Sequence, residues 1–365
     1  MIAVTLGTRP EIIKLAPVIR ELERLEYTYS IVHTNQHYDA NMDAIFFRDL
    51  EILYPHYTLR IGSGSHGDQT GKMLSTLEVT YKNIHANAVL ALGDTNTTLA
   101  AGLTSSKMHI DFIHAEAGFR SFNRKMPEEI NRIVADHVAD ILCAPCSLAE
   151  ENLLWEGIPQ HKIVNTGNTI VDSVQQNLPI ARSKSRILEE LDVHEYILVT
   201  CHRAENTDDR KRLQAFLESL SKIANRESID IVFPIHPRTR KMISVFGLEN
   251  LICNRPWLYV IEPTGYFDFL VLEENASCVI TDSGGVQDEC YALDVPTIII
   301  RDSTEKTDIL CERFRLSEVQ ANVLYENVVE AMNTAPLNNE MSPYGTGNAG
   351  RNICKILEAY ETSNN

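Results

Sequence analysis

"MHIDFIHAEAGFRSFNRKMPEEINR", residues 108–132, decides how the chain is read. An apolar run, 110–115 ("IDFIHA"), stops in Glu116-Ala117-Gly118, and a helix-forming stretch opens at Pro127-Glu128-Glu129. A buried strand that ends in charge and glycine and hands on to a helix is the repeating unit of a parallel α/β sheet. Proline at the first helical position and carboxylates in the first turn make an ordinary helix start, which accounts for one or both of Glu128 and Glu129. It does not account for Glu116, which follows an apolar strand directly and is expected to be partly buried. A partly buried carboxylate is costly unless it is paired, protonated or used. Arg120, Arg124 and Arg132 are at hand to pair with some of these carboxylates.

The same unit recurs on both sides of this stretch. Strands are expected at 2–6, 29–34, 88–92, 110–115 and 139–143, and again at 196–201, 229–235, 257–261, 277–281 and 296–300. Amphipathic segments such as 211–224 and 318–332 lie between them. Ten strands are too many for one ordinary sheet, so two doubly wound Rossmann-like domains are expected. The boundary is placed near 165–190. There 168–177 look helical and "LPIARSKSR", 178–186, is a polar connector. The domains are set at 1–170 and 171–346. Glycines at 345, 347 and 350 then precede an amphipathic helix fit to cap either domain.

Bulk properties narrow the function. A chain of 365 residues with net charge −17 is a poor polyphosphate binder, so no nucleic acid is expected as partner. No run of about 18 apolar residues is present, so no membrane span is expected. "MIAVTLGTRP" lacks a signal-peptide pattern, which makes a cytoplasmic protein the default. Cys143 and Cys146 form a C-x-x-C with no second pair or nearby histidine, so buried thiols rather than a metal centre are expected. Pro145 between them suggests that the strand leaves the sheet there.

Six strands end in polar or glycine-containing clusters: Gly7-Thr8-Arg9-Pro10, Gly93-Asp94-Thr95, Glu116-Ala117-Gly118, His202 to Asn206, His236-Pro237-Arg238 and Asp282-Ser283-Gly284-Gly285. Ligands of parallel α/β sheets bind beyond the carboxyl ends of the strands, so the clusters point to one site shared by two domains. In "GTRPEIIK" the turn is expected to present backbone N–H groups to a pyrophosphate, with Arg9 and Lys14 adding positive charge. Pro17 must kink that helix or open a second one. In "TDSGGVQDE" small residues let the backbone approach a phosphate, and Glu289 lies within reach of a ribose diol. The full G-x-G-x-x-G is missing, so NAD is not expected. Carboxylates crowding one site, Asp94 and Glu116 among them, suit acid/base chemistry, and His202 is a further candidate.

"GTRPEIIKLAPVI", "GDTNTTLA", "HAEAGFRS…MPEEINR", "CHRAEN" and "TDSGGVQDE…PTIIIRDSTE" together resemble the non-hydrolysing UDP-N-acetylglucosamine 2-epimerases, in order from residue 5 to about 306. The resemblance implies the two-domain GT-B fold with the nucleotide in the cleft, a final helix (about 347–363) crossing back to the N-terminal domain, and a homodimer. It implies inversion at C2 of UDP-GlcNAc to give UDP-ManNAc, by loss of UDP to a 2-acetamidoglucal and re-addition, with no metal and no cofactor. Asp94, Glu116, Glu128 and His202 match the family's catalytic set. Arg9 and Lys14 match its basic residues near the diphosphate and sugar, Ser283, Gly284 and Gly285 its phosphate-binding turn, and Glu289 its ribose contact. Arg132, His236 and Arg301 are further cleft candidates. Asp94 and Glu116 are expected to handle protons at C2, without an order of faces, and His202 to lie near the leaving phosphate. Glu129 is expected to be structural.

The chain departs from the family at its second, activating substrate site. It reads Gln36-His37-Tyr38-Asp39, Asp68-Gln69 and Ala204 where many bacterial members carry basic residues, so substrate activation is expected to be weak or absent. Three rival readings stay open: a hydrolysing 2-epimerase that releases ManNAc and UDP, a GT-B glycosyltransferase, and a non-catalytic sugar-nucleotide binding protein.

Overall fold

A computed structural model describes residues 1–36, 40–337 and 342–361, with 40–44 described by backbone only. The chain divides into two compact units, Met1–Ser173 with Asn339–Asn365, and Val174–Asn338.

The first unit is built on β1 (Ile2–Leu6), β2 (Tyr29–His33), β3 (Tyr57–Thr58), β4 (Ala88–Leu92), β5 (Asp111–Ala115), β6 (Ile141–Ala144) and β7 (Ile163–Asn165). They form one sheet in the order β3-β2-β1-β4-β5-β6-β7. All its pairings are parallel. The second unit holds β8 (Tyr196–Thr200), β9 (Asp230–Pro234), β10 (Leu258–Ile261), β11 (Cys278–Thr281), β12 (Thr297–Ile299) and β13 (Phe314–Leu316). Its order, β10-β9-β8-β11-β12-β13, repeats the doubly wound pattern, and its pairings are also parallel. The central strands read as unbroken apolar runs because helices cover both faces: every residue of β1 and β4 is buried.

Among the described residues there are thirteen strands where ten were expected. β3, β7 and β13 are two or three residues long, too short for any periodicity to show. The supposed connector 178–186 is also corrected. Helix Thr169–Lys184 runs through Pro179, and Ala181 continues a buried face that begins at Ile170, Val174 and Asn177. The arginine and lysine of that segment are simply its outer face.

Helix Arg9–Arg24 is a single helix despite Pro17. Proline removes the N–H that would bond the carbonyl of Ile13. Ser173 Oγ donates to that carbonyl instead, at 3.0 Å and out of solvent. The outer side of Pro17 is covered by Gly350, where an added Cβ would come within 3.1 Å of the proline backbone. Gly350 belongs to helix Ala349–Glu361, which packs on Arg9–Arg24. Its first amides, from Ala349 and Gly350, donate to Asp172 at 3.1 and 2.9 Å. Its last turn is tied by Thr28, whose N–H and hydroxyl donate to Glu361. Among the described residues no helix is long and apolar enough to cross a membrane. Cys143, within β6, and Cys146, two residues beyond it, are both buried, and burial pushes the Cys143 thiol up to about 12.

Candidate active site

In each doubly wound sheet the order in which strands are added reverses beside the first strand, and the loops there splay apart to leave a crevice. In the first unit this point lies between β1 and β4, in the second between β8 and β11.

After β1, Thr8 caps helix Arg9–Arg24 and Glu11 closes a capping box. Glu11 Oε2 accepts from the N–H groups of Gly7 and Thr8 at 2.8 and 2.7 Å and from the Thr8 hydroxyl at 3.0 Å. Oε1 accepts from Thr95 Oγ at 2.7 Å. These amides therefore do not await a pyrophosphate, which corrects the reading of "GTRPEIIK". A carboxylate three residues into the helix already occupies them. Burial raises the Glu11 pKa, and the hydrogen bonds work against that rise. The T-x-x-E spacing was the signal for this role. Arg9 lies over the Phe46 ring, 5.4 Å from its centroid.

Lys14, one turn further on and buried, pairs with Glu116 at 2.5 Å. Glu116 is the first residue beyond β5. Its left-handed φ of +63° turns the chain there and leaves the carboxylate on the sheet's end, only a tenth exposed. β4 and β5 end level, Leu92 opposite Ala115, so Gly93 and Asp94 emerge beside Glu116. A Cβ on Gly93 would stand 3.5 Å from Glu116 Oε2. Arg132 reaches Asp94 with one guanidinium nitrogen and Glu129 with another, the latter at 2.9 Å. Asp94 and Glu116 thus meet cations, where carboxylate crowding had been expected. Glu129 is fully used inside: it accepts from Ser121 N, Ser121 Oγ and Phe122 N, each at 2.9 Å. Glu128 is exposed in the first turn of helix Pro127–Val138 and forms no ion pair among the described residues. The structure therefore brings together Lys14, Asp94, Glu116 and Arg132, and leaves Glu128 on the helix surface.

In the second unit the organising group is Asp282, directly after β11 and fully buried. It accepts from the N–H groups of His202 and Arg203, each at 2.9 Å, from Asn206 Nδ2 at 3.0 Å, and pairs with His202 Nδ1 at 2.9 Å. Burial alone would raise its carboxyl, but the hydrogen bonds and charge of His202, with Arg203 and Asn206, hold it down at about 2. His202 is thereby fixed through Nδ1, with its ring 5.4 Å from that of His236. His236 caps helix Pro237–Phe246 by accepting from Arg238 N. Ser283 is the N-cap of helix Gly284–Leu293, and Gly284 and Gly285 are its first two residues. Lys306, buried, donates to the Gly284 carbonyl at 3.0 Å and pairs with Asp288, fixing this turn from within. Glu289 is buried on the same helix. Glu273, wholly buried, has its carboxyl pushed well up by burial and then by the charge of Glu289. Arg301 is buried and pairs with Glu305 at 3.0 Å. Asp282 was named from the sequence only as the start of a strand-end cluster, without a role, and Lys306 was not singled out. Both act on partners far along the chain, and only the carboxylate opening "DSGG" hinted at the first. Among the described residues no cluster of histidine, cysteine and carboxylate groups fit to hold a metal occurs.

The first unit supplies paired carboxylates, and the second an oriented imidazole and a glycine-lined helix N-terminus suited to an anion. Two doubly wound Rossmann-like units, each carrying polar groups at its switch point, make a GT-B-type fold, as in the solved structures it resembles. A family model described as UDP-N-acetylglucosamine 2-epimerase matches residues 20–358. The chain is 45% identical to the UDP-N-acetylglucosamine 2-epimerase of Methanocaldococcus jannaschii, over 98% of each sequence. It is 39% identical to the UDP-2,3-diacetamido-2,3-dideoxy-D-glucuronate 2-epimerase of Pseudomonas aeruginosa, over 96% of this chain and 98% of that one. A crystal structure of the M. jannaschii UDP-GlcNAc 2-epimerase in complex with UDP-GlcNAc and UDP matches with a TM-score of 0.90 at 44% identity, covering 98% of this chain and 99% of that chain. The chain belongs to the UDP-N-acetylglucosamine 2-epimerase family.

Proposed function

We propose that the protein interconverts UDP-GlcNAc and UDP-ManNAc without releasing the free sugar. The observation that carries this is the pair of carboxylates, Asp94 and Glu116, held by Arg132 and Lys14 at the ends of adjacent strands. One carboxylate takes the C2 proton as the C1–O bond breaks. The C–H electron pair becomes the C1=C2 bond of a 2-acetamidoglucal, and the C1–O pair leaves with UDP. Protonation of C2 on the opposite face and return of the UDP oxygen to C1 complete the inversion. No step transfers a hydride, so the route needs no nicotinamide, and side chains and backbone can meet the diphosphate charge. Lys14, Arg9 and the helix start at Ser283-Gly284-Gly285 offset the charge of the departing diphosphate. His202, its Nδ1 held by Asp282, serves the leaving phosphate. Glu289 binds the ribose, Glu128 is a third carboxylate for the sugar, and His236 and Arg301 are further substrate contacts. The protein works as a cytoplasmic homodimer and supplies ManNAc-type sugars for surface glycans.

The test is incubation with UDP-GlcNAc in D2O, followed by NMR. Deuterium at C2 together with UDP-ManNAc supports the proposal. Free ManNAc and UDP would replace it with the hydrolysing reaction, and binding without exchange would leave a non-catalytic role. The likeness to the diacetamido-glucuronate epimerase favours a second reading, in which a 2,3-diacetamido UDP-sugar is the better substrate. Parallel kcat/KM values for the two sugars decide between them. Substrate activation is proposed to be weak or absent. His37, Tyr38 and Asp39 lie outside the described residues, Asp68 pairs with Lys72 at 2.8 Å, and Gln69 is turned inward onto the carbonyls of Gln36 and Gly62. A strongly sigmoidal rate curve would refute this.

A further inference from the structure

We propose that His114 is a positioning residue, one buried imidazole that holds the Asp94 turn and the Glu116 turn in register. The inference rests on the proposed roles of those two carboxylates and concerns a side chain that touches neither substrate nor solvent.

His114 is the fourth residue of β5 and is wholly buried. Both of its ring nitrogens face acceptors. Nε2 lies 2.8 Å from the carbonyl oxygen of Gly93, the residue before Asp94. Nδ1 lies 2.6 Å from Asp136 Oδ1. The other oxygen of Asp136 accepts from Gly118 N–H at 3.2 Å and pairs with Arg120 at 2.7 Å. Gly118 stands two residues beyond Glu116. A single line of contacts therefore runs from the Asp94 turn, through the imidazole and Asp136, to the far side of the Glu116 turn. The Asp94 end is pinned twice more: Gly93 N–H donates to the Ala115 carbonyl at 3.0 Å, and Asn131 donates to the Asp94 carbonyl at 2.9 Å. Phe112 stacks on the imidazole, with ring planes 16° apart, and fixes its tilt.

The chemistry of the partners sets the protons. A carbonyl can only accept, so Nε2 donates. Asp136 already takes a guanidinium and an amide as a carboxylate, so Nδ1 donates as well. His114 is thus the doubly donating ring, balanced by Asp136, while Arg120 is balanced by Glu156 at 2.7 Å. A cluster of four charges, all but Glu156 buried, is a poor way to gain stability, since apolar residues of equal volume serve as well or better. What it supplies is direction: charge-assisted hydrogen bonds that fix a backbone carbonyl in place. Proton transfer at carbon tolerates little displacement, and about 1 Å of misplacement can cost on the order of 100-fold in rate.

Two isosteric substitutions separate the bonds. In H114N the amide nitrogen falls near the Nδ1 position, so the contact with Asp136 survives and that with Gly93 is lost. In H114Q the amide reaches the Nε2 position and the Gly93 contact survives. The rate of C2 deuterium incorporation, the affinity for UDP and the unfolding temperature are measured for H114N, H114Q, D136N and D94N. The expected result is a fall of about 100-fold in kcat for H114N, a smaller fall for H114Q, and UDP affinity within about twofold of wild type for both. A purely structural histidine would lower the unfolding temperature of both variants and leave kcat per folded molecule unchanged, which overturns the proposal. Should H114N not fold, D136N and H114Q decide it: wild-type kcat in both overturns it, and a fall in D136N supports it. Loss of exchange in D94N with normal H114N and D136N defeats this inference alone. Normal exchange in D94N defeats the assignment of Asp94 and the inference with it.

Discussion

Lys14 and Glu116 form an ion pair with side chains only 8% and 10% exposed, so neither charge is well served by water once the other is removed. At an effective permittivity of about 20 and a charge separation of about 3 Å, their direct attraction is about 5 kcal/mol. Desolvation offsets much of this, which is why a buried pair adds little as a whole while losing one partner is costly. K14M or E116Q alone is expected to destabilise the first unit by about 3 kcal/mol, because each leaves a buried charge without its counter-charge. The double variant K14M/E116Q is expected to cost less than the two together, with a coupling of about 2–3 kcal/mol. Urea unfolding followed by circular dichroism at neutral pH measures all four corners of the cycle. Single-variant costs that add to within about 0.5 kcal/mol would show that the two groups do not sense each other, and the electrostatic account of this corner of the site would fall.

Four further outcomes follow from other positions. Asp282 has a folded-state pKa lowered from 3.8 to about 2, so its contribution, about 2 kcal/mol, is fully present above pH about 4 and is lost as pH falls through about 2. D282N should flatten the stability curve across that window, and an unchanged slope would contradict the assignment. Gly118 has φ +91° and an added Cβ would stand 2.3 Å from the Ala149 carbonyl, so G118A should cost about 3 kcal/mol or more. G71A, at an exposed position of helix His66–Asn83 with nothing within 4 Å of the new methyl, should instead stabilise by about 0.5–1 kcal/mol, and thermal unfolding reads both. D172A should cost about 1–2 kcal/mol and speed hydrogen exchange in helix Ala349–Glu361, whose first two amides it frees. Unchanged exchange there would mean that the cap does not hold the helix.

The long central strands were legible because a strand covered on both faces must be apolar throughout, and "IAVTL" or "AVLAL" admits little else. Three of the four edge strands were not, since "YT", "IVN" and "FRL" are too short to carry a pattern and pair only because the sheet is already there, whereas β10 was long enough to read. Within the site, Glu129 could be read as structural from local chemistry, a carboxylate in a first helical turn. Glu11 was equally local and was overlooked because the positive charges beside it suggested a ligand. Asp282, Asp136 and Ser173 were illegible for a different reason. Each meets its partner only after the chain has folded: Ser173 serves a carbonyl 160 residues earlier, and Asp136 an imidazole 22 residues back. Sequence periodicity reports which face of an element is buried, not which distant polar group is waiting there.

The helix Ala349–Glu361 also sets a schedule. It completes the packing around Pro17 and draws its cap from Asp172, yet all of Val174–Asn338 is made in between. At about 5–20 residues per second, a ribosome takes on the order of ten to thirty seconds to supply it after Ser173 has emerged. Through that interval the outer side of helix Arg9–Arg24 stays bare, so the unit that begins synthesis first is the one that finishes last. A stop codon placed just before Ala349 would therefore reach back and uncover helix Arg9–Arg24, damage at the start of the chain from a loss at its end.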